Sequence, residues 1–404
     1  MKTVAIISEY NPFHNGHLYQ IEKIREEFGE DTAIIAIMSG NFTQRGEIAI
    51  MEKWARAKSA TLSGVNLVLE LPFPYSSSSA ELFAKAGVAI ANGLGVVDYL
   101  SFGSELGDVS QISEIANNMQ KEEFKNAINT LLDNEQTLNL GYPKIMELAY
   151  NKTFNTELGN DFFRANNILA LEYIKALNAS SSSIVPHTVK RLGAEYTSSE
   201  ILQTTNFQSA TAIRNLFYNN ESAAEYIPIS TQKTINEENE SCSFPCNIEK
   251  LDSAIISFFR LSHPSAKCNI HDADGGLYNR LIGASLEAKD ISSLIDLSGT
   301  KKYTTARIKR AIWYSFFGVT SSDVKNAPEY TQVLALDTVG QALLKRIRKC
   351  GKIRVVTKPS TSFDDEKIAR QKMLSDNADF IFQIAKPVAH SVASVYKRSP
   401  FVMN

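Results

Sequence analysis

Val4-Ala5-Ile6-Ile7, then Glu9-Tyr10-Asn11-Pro12-Phe13, then His14-Asn15-Gly16-His17: this stretch decides how the chain is read. An apolar run of strand length gives way to a proline-containing turn and then to two imidazoles three residues apart. Residues 18–28 follow with a helical pattern. The histidines therefore sit where a first strand hands over to a first helix. In open α/β sheets, ligands bind outside the carboxyl ends of the strands. A helix N-terminus there presents unpaired N–H groups and a positive dipole end to anions. Two histidines at that spot predict an enzyme that handles the phosphates of a nucleotide, both imidazoles serving as charge-assisted donors. Gly16 lets backbone approach a ligand, and Asn15-Gly16 suits a tight turn. The alternative is a pair of capping or surface histidines.

Working outward, short β-rich runs at 3–8, 33–38, 66–70 and 99–102 alternate with helical patterns at 18–28, 53–63 and 79–93. Strands alternating with helices predict a parallel, Rossmann-like sheet. Residues 110–180 read as mostly helical, and 184–188 as a late strand. A chain of 404 residues exceeds one ordinary core. The stretch 231–250 is polar and acidic (Glu237, Glu238, Glu240) and carries Pro245, so it reads as a linker. The expected division is a nucleotidyltransferase-type α/β domain over 1–230 and a mostly α-helical second domain over 251–404. That second domain shows helical periodicity at 254–261, 276–288, 303–317 and 340–349, with a small β element at 353–356.

Hydrophobic residues make up 44% and charged residues 21%, as in a soluble globular protein. No apolar run reaches the roughly 18 residues of a membrane span, and Met1-Lys2-Thr3 opens no signal peptide, so a cytoplasmic protein is expected. Cys242, Cys246, Cys268 and Cys350 are few and irregularly spaced, which suits reduced thiols. Cys242 and Cys246 have no second pair, and no metal site is expected. The absence of Gly-x-x-x-x-Gly-Lys-Ser/Thr argues against P-loop chemistry. The serines at 76–79 lack Gly-x-Ser-x-Gly and read as a helix-capping stretch. Charge is uneven. Between Lys301 and Lys358 there are 13 Lys and Arg against Asp323, Glu329 and Asp337; since the whole chain carries −2, the rest carries −12. Two clusters dominate: Lys301, Lys302, Arg307, Lys309 and Arg310, then Lys345, Arg346, Arg348, Lys349, Lys352 and Arg354. They read as a footprint for a polyanion such as RNA, the alternative being solvated helix faces.

Strand, His-x-Gly-His and helix in succession resemble the HIGH-motif nucleotidyltransferases. Within that superfamily, residues 9–19 are more closely similar to the bacterial tRNA(Met) cytidine acetate ligases. So are Met38-Ser39-Gly40-Asn41-Phe42-Thr43-Gln44-Arg45-Gly46-Glu47, Leu67-Val68-Leu69-Glu70-Leu71-Pro72 and Phe102-Gly103-Ser104-Glu105. Asn166-Asn167-Ile168-Leu169 and Lys190-Arg191 fall in matching order. Ser209-Ala210-Thr211-Ala212-Ile213-Arg214 resembles the superfamily's second signature, and Tyr303-Thr304-Thr305-Ala306-Arg307-Ile308-Lys309-Arg310 the family's basic helix. The likeness spans both expected domains. Ala335 and Gln332 depart from the family pattern, which puts RNA contacts around 330–336 in question.

The resemblance implies an ATP-dependent ligase. It would activate acetate as acetyl-adenylate with release of pyrophosphate. It would then pass the acetyl group to the exocyclic amine of the wobble cytidine of elongator tRNA(Met), giving N-acetylcytidine and AMP. His14 and His17 would hold the phosphates and offset charge on the leaving pyrophosphate. The loop from Ile7 through Ser8, Glu9, Tyr10, Asn11, Pro12, Phe13, Asn15, Gly16, Leu18 and Tyr19 to Gln20 would wrap ATP. Gly103 would pack against the nucleotide, the alternative being a plain turn. Asn166 or Asn167 would read adenine or ribose, the alternative being a helix N-cap. Arg191, with Lys190 as substitute, would bind phosphate. Ser209, Thr211 and Arg214 would close over the β- and γ-phosphates, or cap a helix. Ser39, Gly40, Asn41, Gln44 and Arg45 are candidates for an acetate or cytidine pocket. Lys53 and Arg56 are weaker candidates, equally readable as an outward salt-bridging face. Magnesium is expected with ATP, and neither a membrane nor an obligate protein partner. The runner-up is a small-molecule or cofactor adenylyltransferase; an RNA-binding protein with a decayed nucleotide fold comes third.

Overall fold

The structure is a computed structural model, and it describes residues 1–133, 140, 142–158, 162–192, 206–263, 269–274 and 276–404. Five strands are mutually parallel: β1 (Thr3–Ser8), β2 (Ala33–Ser39), β3 (Leu67–Leu71), β4 (Tyr99–Ser104) and β5 (Val185–Lys190). Their connections include α1 (Asn15–Phe28), α2 (Lys53–Leu62) and α3 (Ala80–Leu94). Strand order is β5-β4-β1-β2-β3. The chain thus winds one way from β1 to β3 and the other way at β4. The reversal leaves a crevice beyond the carboxyl ends of β1 and β4, the usual ligand position in such sheets.

Nearly every residue of β1 to β3 is buried, because helices cover both faces. Alternation along the strands decides which face each side chain joins. Ala5, Ile7, Ile35, Ile37, Leu67 and Leu69 pack with α3 and the Ala165–Ala179 helix. Val4, Ile6, Ile34, Ala36 and Val68 pack with Ile21 and Ile24 of α1 and Ala57 and Ala60 of α2.

The sheet does not stop at β3. Residues Tyr330–Leu336 form β6, which runs antiparallel to β3. Arg354–Val356 (β7) and Phe401–Val402 (β8) pair with β6 in parallel. The small β element expected at 353–356 is therefore β7, and β6 beside it was not anticipated. Ala335 and Gln332, the family departures, are buried in this inner strand. The segment 330–336 is thus sheet core, where no RNA reaches. The helices from Asp252 to Phe317 and the Glu366–Phe382 helix gather around Leu251, Phe259, Leu281, Trp313 and Phe382, together with Phe42, Ile48 and Phe73 from the first 75 residues, whereas the Thr338–Cys350 helix packs on the sheet through Leu343, Leu344 and Ile347. The stretch 231–250, expected as a linker, holds most of the Ile229–Glu240 helix, with Thr231, Thr234 and Ile235 buried, and Cys246, wholly buried, donates its N–H to the carbonyl of Ile50.

Candidate active site

α1 begins in an unusual way. His14 is its N-cap, and Nδ1 of His14 accepts the N–H of Gly16 at 3.0 Å. Nδ1 of His17 accepts the N–H of His14 at 3.2 Å. The two imidazoles together form a capping box, a role usually filled by Ser or Thr with Glu. Their rings stack at 3.7 Å, and Tyr10 meets His17 edge-on at 4.8 Å. A Cβ on residue 16 would lie 2.9 Å from the His14 ring, so the stack requires glycine there.

This cap settles the tautomer. A neutral imidazole carries one N–H, and with Nδ1 accepting, the proton lies on Nε2. Burial, with Arg191 and Arg214 nearby, pushes the His14 pKa down to about 3. Burial, His14 and Arg191 hold His17 well below the imidazole range. Both histidines are neutral near pH 7. This corrects the expectation of charge-assisted donors: each offers a neutral Nε2–H.

The crevice is bounded by the end of β1, α1, the ends of β4 and β5, and the start of the Ala165–Ala179 and Ala210–Tyr218 helices. It opens to solvent at its mouth. Of the residues anticipated for ATP, it is lined by Ile7, Ser8, Glu9, Tyr10, Asn11, His14, Gly16, His17, Tyr19, Gln20, Gly103, Asn166 and Arg191. Pro12 and Phe13 are buried behind the turn, and Leu18 packs on the α1 face of the sheet. Asn15 turns away, its side-chain amide donating to the carbonyl of Glu225 at 2.8 Å.

The two asparagines divide. Asn167 is committed: its Oδ1 accepts the N–H of Glu105 at 3.0 Å, and its Nδ2 donates to the carbonyl of Phe162 at 2.8 Å. Asn166 lines the crevice and donates to Glu105 at 2.7 Å. Neither is the helix N-cap, which is Arg164. In the second signature, Ser209 is the N-cap of the Ala210–Tyr218 helix. Thr211 accepts from Arg214 at 3.2 Å. Arg214 also donates to the carbonyl of Asn11 at 3.0 Å and to Glu47 at 2.9 Å. It braces the turn before His14 but does not itself line the crevice.

Of the proposed acetate or cytidine pocket, only Gln44 lines the crevice. Ser39 is wholly buried, and Gly40 lies against the Glu70 carboxylate. Asn41 is held between Asp379 and the N–H of Lys53. Arg45 is half-buried in the same loop, off the crevice wall. Lys53 and Arg56 do not face outward. Lys53 is buried against Glu70 at 2.7 Å and Asp379 at 2.5 Å. Arg56 is wholly buried and donates to the carbonyls of Glu9, Ser39, Gly40 and Met51. It ties the loops after β1 and β2 together.

Sequence reasoning missed the apolar wall: Phe83, Phe102, Leu169, Tyr173, Val189 and Phe207. Apolar periodicity marks such residues as core and carries no sign that one edge faces a ligand.

The basic residues do not form one patch. Arg310 is buried against Asp272 at 2.7 Å, and Arg307 pairs with Asp274. Lys309 reaches Glu47 at 3.0 Å. Gly46, at φ +77, lies against the backbone of Arg310, and Trp313 donates to its carbonyl. That helix is therefore docked on the loop beside the crevice, with Lys301 and Lys302 exposed just before it. Lys345, Arg346, Arg348 and Lys349 are exposed on the Thr338–Cys350 helix. Its end packs on Gly93–Gly95, below the amino end of β4. The two clusters thus lie toward opposite ends of the strands. Among the described residues, no group of three His, Cys, Asp or Glu is placed to hold a metal, and no helix is long and apolar enough to cross a membrane.

A family model described as HIGH Nucleotidyl Transferase matches residues 1–394. The tRNA(Met) cytidine acetate ligase of Thermoanaerobacter sp. (strain X514) is 36% identical over 380 residues, covering 92% of each chain. That of Thermosipho melanesiensis is 34% identical over 407 residues, covering 97% of this chain and 93% of its own. The crystal structure of Thermotoga maritima TmcAL in its apo form superposes with a TM-score of 0.91 at 28% identity, over 100% of both chains. The same protein bound with alpha-thio ATP gives 0.89 at 28% identity, again over 100% of both. A strand-to-helix turn capped by two histidines, at the reversal point of a mostly parallel sheet, thus accompanies likeness along nearly the whole chain, and the chain belongs to the tRNA(Met) cytidine acetate ligase family of HIGH nucleotidyltransferases.

Proposed function

We propose that this chain activates acetate with ATP to acetyl-adenylate and pyrophosphate, then transfers the acetyl group to the exocyclic amine of the wobble cytidine of elongator tRNA(Met). The observation that carries this reading is the pair of neutral histidines whose Nε2–H groups remain available at the N-terminus of α1. Adenylyl transfer gathers negative charge on the leaving pyrophosphate. Preorganised donors at a helix N-terminus stabilise such charge without reorganising. Arg191 on the crevice wall supplies the positive charge that the histidines lack. The apolar wall of Phe102, Leu169 and Tyr173 suits a purine face, and Asn166 supplies an amide beside it. Magnesium accompanies ATP in this reading. Glu9 is the single carboxylate among the described lining residues, so such an ion would be held chiefly by phosphates and water. As a tRNA-modifying ligase, the protein would act in the cytoplasm.

The test is to incubate the protein with ATP and labelled acetate, with and without tRNA. Expected are acetate-dependent exchange of pyrophosphate into ATP and label on a cytidine of tRNA(Met) only. AMP retained in a dinucleotide-like product would instead establish the cofactor adenylyltransferase.

Both basic surfaces enter the proposal as grips on the tRNA backbone: Lys301 and Lys302 beside the crevice, and Lys345, Arg346, Arg348 and Lys349 toward the other end of the strands. Arg307 and Arg310 are unsuited to charge reversal, because each sits in an ion pair within the fold. The triple variant Lys345→Glu, Arg346→Glu, Lys349→Glu is expected to flatten the salt dependence of tRNA binding by about three in log–log slope, one per lost contact. Pyrophosphate exchange without tRNA should be unchanged. An unaltered salt slope would remove this end from the RNA footprint.

A further inference from the structure

Acetyl transfer releases a proton from the attacking amine, and something must take it. Most groups lining the crevice are unable to. His14 and His17 each spend the Nδ1 lone pair on a backbone N–H and carry their proton on Nε2. Lys190 and Arg191 are cations. Tyrosine phenols hold their protons near neutrality as a class, and burial pushes the Tyr10 hydroxyl higher still. Glu9 is the one carboxylate among the described lining residues.

Its position suits the task. Glu9 directly follows β1, and its backbone carbonyl is fixed by the buried Arg56 guanidinium. Its Oε1 accepts the N–H of Gln44 at 2.9 Å. The Gln44 side chain also lines the crevice, and it is anchored to the carbonyl of Ser78 at 2.9 Å. The carboxyl group therefore stands where the nucleotide crevice meets the loop after β2, held from both sides. Ala210 and Gln208 face the crevice from the opposite wall. The charged groups around it are Arg214, Arg45 and the buried Arg56, which favour its ionised form, and Glu47, which opposes it; burial outweighs them and raises its proton affinity. A carboxylate with raised affinity is the stronger base when ionised.

We propose that Glu9 is the base of the acetyl-transfer step, taking the proton from the cytidine amine as that nitrogen bonds to the acetyl carbon. This rests on the acetyl-adenylate reading above. In the step, the N–C bond forms and the C–O bond to the AMP phosphate breaks. Its electron pair leaves with AMP, and one amine proton passes to Glu9 and later to water. No oxidant, reductant or further co-reactant is needed.

Glu9→Gln tests it, since the amide oxygen can still accept the Gln44 N–H but the group takes no proton. Glu9 also lines the ATP crevice, so acetate-dependent pyrophosphate exchange is expected to fall as well, but by much less than transfer. Single-turnover acetylation of tRNA should fall by about a hundredfold or more, the range for losing a general base. The acidic limb of its pH profile should vanish. Glu9→Asp, which keeps the charge, should recover part of the transfer rate together with that limb. Parental transfer by Glu9→Gln overturns the assignment. So does an equal loss of exchange and transfer, which would place Glu9 in activation. A parent protein with no acetate-dependent exchange would instead sink the acetyl-adenylate reading itself.

Discussion

His14→Asn is expected to leave the fold nearly as stable as before and to slow acetate-dependent pyrophosphate exchange by about a hundredfold to a thousandfold, the usual loss for one preorganised donor. The substitution separates the two roles that His14 combines. Asparagine is among the best N-caps and can accept the Gly16 N–H that Nδ1 now accepts. It is too short to place a donor where Nε2–H points. His14→Ala loses both roles and should add about 1 kcal/mol of destabilisation from the missing cap. The pH dependence of stability supplies an independent check. The folded pKa of His14 is depressed to about 3, so its contribution is complete above the ordinary imidazole value of 6.5 and is lost as pH falls toward 3. His17 acts in the same direction. His14→Asn should therefore soften the acid lability of the fold, read as melting temperature against pH. Exchange at the parental rate in His14→Asn would show that the imidazole serves only as a cap.

The first 110 residues were legible because their signals are local. Four apolar runs, three amphipathic segments and the His-Asn-Gly-His turn each fall where the structure has β1 to β4, α1 to α3 and the crevice. β6 was not legible. Thr331 and Gln332 break its apolar pattern, and its antiparallel place beside β3 is set by contacts some 260 residues away in the chain, as where Thr331 donates to the carbonyl of Glu70. Charge was the other blind spot. Lys53, Arg56 and Arg310 are cations of the kind normally placed at the surface, and only their partners make burial possible. The histidines' neutrality has the same origin, since burial and nearby arginines have no signature at positions 14 and 17. A surplus of positive charge summed along the chain says nothing of which end of the sheet each residue occupies.

Lys53→Met is expected to destabilise the fold by about 3–5 kcal/mol, the cost of breaking a buried ion cluster from one side. Lys53 is in direct contact with two buried carboxylates. Its Nζ lies 2.7 and 2.8 Å from the oxygens of Glu70 and 2.5 Å from Asp379. The second oxygen of Asp379 accepts from Asn41 at 2.8 Å, which ties the Glu366–Phe382 helix to the loop carrying Gln44. Removing the lysine leaves Glu70 and Asp379 facing each other, and one must stay protonated or the site must open. Asp379→Asn leaves a one-to-one pair instead and should cost far less. The sign with pH follows from Asp379. Burial raises its pKa to about 6, Glu70 adding and Lys53 opposing. Folded protein then holds that proton more tightly than unfolded protein. The associated stability is complete below about pH 4 and is lost as pH rises through about 6. Asp379→Asn should abolish this decline, and Lys53→Met should deepen it by removing the cation in direct contact that favours the ionised form. Denaturant melts at pH 4.5 and 7 measure both. A Lys53→Met protein as stable as the parent at pH 7 would mean that the two carboxylates reach water or another cation, and that the coupling between the C-terminal helix and the crevice loop does not rest on Lys53.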